Sequence, residues 1–131
     1  DRFNQNFFIS SSLPKEGQFD IVSCTSSLQY VADWRSKIQD LLNLHPHHVA
    51  IINTPINNAL SYSRNQYNLK PLVIPQWVFG LPDLDAAFHA KGYERCFYST
   101  HQLDYPTQDT PEGTVTKFAA VIYSRPNRHH D

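Results

Sequence analysis

The sequence predicts an α/β protein whose sheet is mostly parallel. Short apolar runs with β-branched residues occur at 19–24 and 49–53, a composition typical of strands that are covered on both faces. A segment with helical periodicity lies between them, at 34–44. Small polar residues follow both apolar runs, and ligands of open α/β sheets bind beyond the carboxyl ends of the strands. We therefore expect a ligand site at that edge of the sheet.

The first half of the chain supplies three predicted strands and one helix. Residues 7–9 form a short apolar run that ends in serine hydroxyls, and Gly17 gives freedom to the turn before the strand at 19–24. Asp33 is a good N-cap for the following helix, whose apolar face carries Trp34, Ile38, Leu41 and Leu42. Pro46 ends this segment ahead of the strand at 49–53.

The second half begins with a predicted loop at 54–58 and a long irregular segment at 59–76, of the kind that often forms a lid or binding loop. Residues 81–90 are helical in character, with a proline in the first turn, two aspartates near the amino end and a Lys-Gly stop. Strands are predicted at 93–100 and 116–124, with a loop at 101–115 between them.

Composition restricts the class of protein. With 131 residues, of which 40% are hydrophobic, the chain predicts a single domain over 1–131 with a real core. Eleven Lys plus Arg are scattered among twelve Asp plus Glu, so nucleic acid is a poor partner. The apolar runs are far shorter than the roughly 20 residues that span a bilayer. We expect a cytoplasmic protein in which Cys24 and Cys96 are buried thiols rather than a disulfide.

The histidine cluster at the end of the first helix invites a metal site. His45, His47 and His48 surround Pro46, and three imidazoles could in principle hold zinc or nickel. Ligands crowded on one turn seldom close a tetrahedral site alone, and no cysteine or acidic partner stands at ligand spacing nearby. We expect a solvated loop here and assign no metal.

The stretch from residue 19 to residue 31 resembles part of a known enzyme family. Phe-Asp-Ile-Val at 19–22, a small-residue loop and Leu-Gln-Tyr-Val at 28–31 resemble the fourth strand and its loop in class I S-adenosylmethionine-dependent methyltransferases. Together with Leu-Pro at 13–14, Asp-Trp at 33–34, Thr-Pro at 54–55 and Pro-Gln-Trp at 75–77, the pattern is closest to methyltransferases encoded in bacterial surface-polysaccharide gene clusters. The resemblance runs from about residue 7 to about residue 123. It implies the carboxyl-terminal part of a Rossmann-like methyltransferase sheet, mostly parallel and ending in an antiparallel strand pair.

The resemblance also implies sites. Residues near the cofactor S-adenosylmethionine would be Ser10, Ser11, Thr25, Ser26 and Leu28. Serine stands where a carboxylate for the adenine would be more usual, so an ordinary polar loop at 10–12 is an equal alternative. Residues near a small-molecule or glycan acceptor would be Gln29, Tyr30, Thr54, Asn57, Tyr62, Arg64 and Trp77, although Tyr30 in core packing and the Asn residues as turn formers remain open alternatives.

Catalytic residues are not identified by this pattern, because the sulfonium is already an activated methyl donor and alignment is most of what the enzyme supplies. Gln29 could orient an acceptor hydroxyl, Tyr30 could wall the pocket, and His101, which follows a strand, is a weak candidate for a general base.

The glycine-rich turn that binds the cofactor in this family has no counterpart in the sequence. No glycine precedes Gly17 and no Gly-x-Gly occurs, so we expect an incomplete fold that lacks the amino-terminal cofactor-binding half. The chain alone should bind S-adenosylmethionine weakly or not at all. The strand at 19–24 would then present an unpaired apolar edge, which favours a homodimer or another association.

The predicted function is a portion of an enzyme that transfers a methyl group from S-adenosylmethionine to an oxygen or nitrogen acceptor, with a sugar or polysaccharide precursor as the candidate acceptor. The alternative is a non-catalytic scaffold or partner module of methyltransferase ancestry. A hydrolase ranks far behind, because the sequence has no Gly-x-Ser-x-Gly elbow.

Overall fold

The computed structural model describes residues 10–15, 17–69, 72–101, 107–108 and 117–126, and the predicted strand at 7–9 lies outside them. The described residues form two α-helices, α1 (Trp34–Leu42) and α2 (Leu81–His89), and a 3₁₀ turn at Leu28–Tyr30. They also form one sheet, whose strands are β1 (Ile21–Thr25), β2 (His48–Asn57), β3 (Tyr62–Leu69), β4 (Leu72–Gly80), β5 (Glu94–His101), β6 (Thr107–Gln108) and β7 (Lys117–Ser124).

The long strand β2 is the centre of the sheet. Along one edge it pairs antiparallel with β7. Along the other edge it pairs in succession with two strands, first in parallel with β1 through its amino-terminal half and then in parallel with β4 at Ile56 and Asn57. Outward from this centre, β5 pairs with β7, and β3 lies between β4 and β6, all antiparallel. The strand order is therefore β5-β7-β2-β4-β3-β6, with β1 beside β2.

The predicted fold class is wrong. Of the strand pairings among the described residues, two are parallel and four are antiparallel, and each of the two helices is only nine residues long. The sheet is mixed and mostly antiparallel, so it is not the helix-rich Rossmann-like methyltransferase sheet that the resemblance implies. The physical reason lies in the segment 59–76, predicted as irregular, of which residues 62–69 and 72–76 are strand. It contributes β3 and β4, and their short connection forces an antiparallel pair because parallel strands need a crossover of a dozen or more residues.

Individual elements were better predicted than their arrangement. β1, β2, β5 and β7 lie at predicted strands, and α1 and α2 lie at predicted helices. The Asp33 carboxylate caps α1 by accepting a 3.2 Å hydrogen bond from the backbone N–H of Ser36. The apolar face predicted for α1 is buried, with Trp34, Ile38, Leu41 and Leu42 almost inaccessible to solvent.

A β-bulge carries β2 past the point where the sequence predicts its end. The pairing with β7 passes from Ile51 opposite Val121 to Thr54 opposite Ala119, so β2 contains one extra residue. Asn53 occupies this bulge with φ of 54°, a left-handed conformation that asparagine tolerates better than most residues. Residues 54–57, predicted as loop, therefore continue the strand.

The core is formed by the buried faces of α1 and α2 with β2, β4 and β7. Trp34 meets Phe79 edge to face at a centroid distance of 4.9 Å, and Phe88 stacks on Tyr123 at 3.8 Å. The expectation of two buried thiols is wrong for Cys96, which is exposed because it lies on the outermost strand β5, whereas Cys24 is partly buried. None of the helices in the described part of the chain has the length and apolar character needed to cross a bilayer.

Candidate functional site

A groove of about 390 Å³ lies between the 3₁₀ turn and the β3–β4 hairpin, within the size range of small-ligand sites. One wall comes from the segment that follows β1, and the other comes from β3 and β4, which lie some 30 to 50 residues further along the chain. The residues that line it are Gln29, Tyr30, Ala32, Ser63, Ile74, Pro75, Gln76 and Trp77.

The 3₁₀ turn is positioned by backbone hydrogen bonds and one buried side chain. The N–H of Ser26 donates to the carbonyl of Ile52 at 2.9 Å, and the N–H of Tyr30 donates to the carbonyl of Ser27 at 3.1 Å. Leu28 is 1% exposed and belongs to the core. Because Leu28 fixes the turn from below, Gln29 and Tyr30 are held against β4.

Gln29 is anchored to the bulge of β2. Its Nε2 donates to the Asn53 carbonyl at 3.5 Å, and its Oε1 accepts from the Thr54 hydroxyl at 3.4 Å. The Asn53 side chain in turn donates to the Ser26 hydroxyl at 2.6 Å, and Ser26 also has a left-handed φ of 51°. Residues held in rare backbone conformations are frequent at functional sites. The bulge and the turn thus brace one another beneath the groove.

Behind the groove, the hairpin holds a buried chain of polar side chains. Arg64 lies directly opposite Gln76 in the β3–β4 register, and its Nε donates to Gln76 Oε1 at 2.7 Å. Gln76 Nε2 donates to Gln66 Oε1 at 2.6 Å, and the hydroxyl of Tyr30 donates to that same oxygen at 2.7 Å. These hydrogen-bonded side chains, the polar chain, therefore link the hairpin to the 3₁₀ turn across the end of the groove.

The structure brings some of the predicted acceptor residues together and separates others. Gln29, Tyr30 and Trp77 line the groove, while Arg64 lies behind it in the polar chain. Thr54 is fully buried beneath Gln29.

Two further predicted acceptor residues do not line the groove. The Asn57 side chain closes the following turn, because it donates to the Leu60 carbonyl at 2.9 Å and accepts from the Ala59 N–H at 2.6 Å. Tyr62 is partly buried on β3 but is not among the lining residues.

The predicted cofactor residues do not form a cradle for S-adenosylmethionine. Ser10 and Ser11 are exposed, and the N–H of Ser12 donates to the Ser10 hydroxyl within the same short segment. The Ser26 hydroxyl is engaged by Asn53 and the Leu28 side chain is in the core, so of these three predicted residues Thr25 alone presents an exposed hydroxyl at the end of β1. The described residues therefore do not fit this cofactor by themselves.

His101 and the histidine cluster lie apart from the groove. His101 ends β5 and is exposed, with its ring 6.1 Å from that of Phe118, and both β7 and β2 separate it from the hairpin. His48 shares a 2.7 Å hydrogen bond between its Nδ1 and the Ser124 hydroxyl. Among the residues that the structure describes, no three His, Cys, Asp or Glu side chains are grouped to hold a metal ion.

Sequence reasoning missed the contribution of the hairpin. Gln66 was not considered, and Gln76 was noted only as part of the resemblance, although both belong to the polar chain. A signal was present, because Arg64 and Gln66 are two apart and therefore share one face of a strand. It was hidden because residues 62–69 are too polar to be recognised as a strand.

Comparison with known proteins adds no further assignment, because no family model, no curated protein and no solved structure matches the chain.

Proposed function

We propose that the chain binds a small polar acceptor, of the class of a sugar or polysaccharide precursor, in the groove, as part of an S-adenosylmethionine-dependent methyltransferase acting on an oxygen or nitrogen of that acceptor. The observation that carries the acceptor site is the convergence of Gln29, Tyr30 and Trp77. All three line one groove, although Trp77 is 47 residues beyond Tyr30 in the chain. Methyl transfer itself is supported by the sequence resemblance.

The chemistry of the lining favours an uncharged polar ligand. None of its eight residues is an aspartate, glutamate, lysine, arginine or histidine, so the lining offers no counter-charge to a phosphate or an ammonium group. Trp77 and Tyr30 supply aromatic faces, and Gln29, Gln76 and Ser63 supply amide or hydroxyl groups. A sugar ring presents the complementary surfaces, because its C–H groups pack on aromatic faces while its hydroxyls hydrogen-bond.

The cofactor part of the proposal requires protein groups beyond the ones described. S-adenosylmethionine would supply an activated methyl group, whereas the residues of this groove would hold and orient the acceptor, a contribution that can be large in a bimolecular transfer. Since the described residues do not fit the cofactor, no catalytic step is assigned to them.

A titration of the isotope-labelled chain with methyl β-D-glucopyranoside, followed by amide NMR, tests the acceptor site. We expect amide shifts at 29–32, 63, 74, 76 and 77, and a Trp77→Ala variant should bind about tenfold more weakly because the aromatic face is lost. Phe97→Ala, on the outermost strand β5, is the matched control and should bind normally. Shifts centred elsewhere, or no binding, would contradict the proposal.

Isothermal titration calorimetry of the same chain with S-adenosylhomocysteine tests the cofactor part separately. We expect weak binding or none by this chain, because Ser26 and Leu28 are engaged within the fold. Tight stoichiometric binding would show that this expectation is wrong.

A second candidate function, a partner module, is favoured by the outer edge of β1. Among the described residues β1 pairs only with β2, and Ile21 on it is 61% exposed. A second copy of the chain could add to this edge. Sedimentation at increasing concentration should then reveal dimers that Ile21→Lys abolishes, whereas Leu60→Lys, on an exposed loop, should leave them intact. A monomer at all concentrations would exclude this candidate.

A cytoplasmic location belongs to the same proposal. It is supported by the two cysteines, which are free thiols, as is usual in a reducing compartment. Detection of the protein in a secreted or periplasmic fraction would contradict it.

A further inference from the structure

We infer that the Tyr30 hydroxyl accepts a hydrogen bond from the ligand of the groove. It therefore favours a ligand with a free hydroxyl or amine over the corresponding methyl ether. This inference rests on the proposed function, because it concerns the ligand of the same groove. It names the chemical group that the acceptor must present and predicts that the methylated product binds more weakly than the acceptor.

Arg64 sets which atoms donate and which accept along the polar chain. A guanidinium group only donates hydrogen bonds, so Gln76 must turn its oxygen toward Arg64 Nε, which lies 2.7 Å away. The amide nitrogen of Gln76 then points the other way. With Arg64 only 7% exposed and Gln76 only 1% exposed, solvent cannot readily offer an alternative arrangement.

The direction is passed on through Gln66. The amide nitrogen of Gln76 can only donate, so the atom of Gln66 that it meets at 2.6 Å must be the oxygen Oε1. This oxygen carries no hydrogen. The hydroxyl of Tyr30, 2.7 Å from the same oxygen, can therefore form its hydrogen bond only as the donor.

The consequence for the ligand follows from the single hydrogen of a phenol. Because Tyr30 donates that hydrogen inward to Gln66, its hydroxyl oxygen has only lone pairs left to offer. Tyr30 lines the groove and is 42% exposed, so a ligand that reaches this oxygen must bring a hydrogen of its own. A hydroxyl or amine meets this requirement, whereas a methoxy group does not.

Arg64 is thus a positioning residue that acts through two glutamines. Its charge does not contact the groove, since Arg64 is not among the lining residues, yet it sets which partner Tyr30 accepts. When Gln66 is replaced by a residue that cannot accept this hydrogen bond, we expect the Tyr30 hydroxyl to be free to rotate and to donate into the groove.

The test uses phenol and anisole, which differ only by a methyl group on oxygen. In an amide NMR titration of the full chain we expect phenol to bind about three- to tenfold more tightly than anisole, the value of one hydrogen bond. Tyr30→Phe and Gln66→Met should reduce this ratio to about one, with Gln66→Met doing so through stronger binding of anisole. Tyr98→Phe, on β5 away from the groove, is the matched control and should keep the native ratio.

The outcomes separate this inference from the proposed function. Binding of both probes with equal affinity by the native chain would overturn the inference alone, as would an unchanged ratio in a folded Gln66→Met variant. Failure of phenol, anisole and methyl β-D-glucopyranoside alike to bind would overturn the proposed function and this inference with it. Neutron diffraction checks the direction without any ligand, because a deuterium on Tyr30 pointing away from Gln66 would contradict it.

Discussion

The hydroxyl of Tyr123 donates a 2.7 Å hydrogen bond to the Asp85 carboxylate, and so ties the last strand to helix α2. The Tyr123 ring is fully buried and stacks on Phe88, while Asp85 also forms a 3.2 Å ion pair with Arg95 on β5. One carboxylate thereby connects α2, β5 and β7, at the end of the strand order away from the hairpin.

Removing the Tyr123 hydroxyl should destabilise the fold. Tyr123→Phe keeps the stacked ring but takes a donor from Asp85, and a hydrogen bond to a charged group contributes about 1.5 to 3 kcal/mol. Urea unfolding measures the loss. In a double-mutant cycle with Asp85→Asn, the double variant should lose less unfolding free energy than the sum of the two single losses, because both substitutions act on the same hydrogen bond. Tyr98→Phe, which removes the hydroxyl of a partly exposed tyrosine, should have a smaller effect, and equal losses for both tyrosines would contradict the prediction.

Stability should decline above about pH 10. Burial, reinforced by the hydrogen bond to Asp85, raises the pKa of Tyr123 well above the usual tyrosine range. The unfolded chain releases this proton near pH 10 while the folded chain keeps it, so the stabilisation is complete below pH 10 and is lost as pH rises further, by about 1.4 kcal/mol per pH unit for one group.

The measurement for that pH dependence is urea unfolding between about pH 9 and pH 11. Burial raises the pKa values of Tyr93 and Tyr98 as well, with the same sign, so the native slope includes them. Tyr123→Phe should make the decline of the unfolding free energy with pH shallower by about 1.4 kcal/mol per pH unit, the contribution of one titrating group. A slope unaffected by this substitution would mean that Tyr123 ionises alike in both states.

The bulge of β2 provides a test of backbone strain. Asn53→Gly keeps the left-handed conformation without strain but loses the 2.6 Å hydrogen bond to Ser26, whereas Asn53→Ala loses the bond and must also adopt the unfavourable φ. We expect Asn53→Ala to be less stable than Asn53→Gly by about 1 kcal/mol. Thermal unfolding of both variants decides, and an alanine variant at least as stable as the glycine variant would argue against the bulge.

Gly80 should not tolerate a side chain. A Cβ there would collide with the carbonyl oxygen of Ala59 and come within 2.9 Å of backbone atoms of Leu60 and Ser61, none of which is a flexible end. Gly80→Ala should therefore cost about 1 to 3 kcal/mol or more in unfolding free energy.

Gly92→Ala is the control for Gly80, because a Cβ at Gly92 meets nothing within 4 Å and only its φ of 83° is unfavourable. It should show the cost of backbone strain alone, about 1 kcal/mol. Should Gly80→Ala be the milder of the two, the close approach of the 59–61 turn to the end of β4 would be refuted.

The predictable parts of this molecule are those whose signals are local. The helix at Trp34 could be predicted because its cap and its apolar spacing lie within ten residues. The strand that follows was predicted too short, since Pro55 and Asn57 are turn formers, and only the pairing with β7 shows that the strand continues beyond a bulge at Asn53.

The hairpin was missed for a related reason. β3 is polar along its length, and Pro75 within β4 argues against a strand unless that strand is held mainly from one side. Arg64 and Gln66 are buried and hydrogen-bonded with Gln76 of β4, a grouping that no local pattern reveals. Gln29, Tyr30 and Trp77 were predicted as acceptor residues, yet the partners that orient Tyr30 depend on this long-range pairing.

The narrow attachment of β4 to β2 has a consequence for how such a protein can change over evolutionary time. Among the described residues, the strand pairing between the hairpin and the central strand consists of Ile56–Phe79 and Asn57–Gly80. Insertions, deletions or substitutions beyond that junction would remodel one wall of the groove while leaving the helices and the strands beneath them in register. Under the proposed function, variation confined to the hairpin would therefore change the ligand preference while the core keeps its packing.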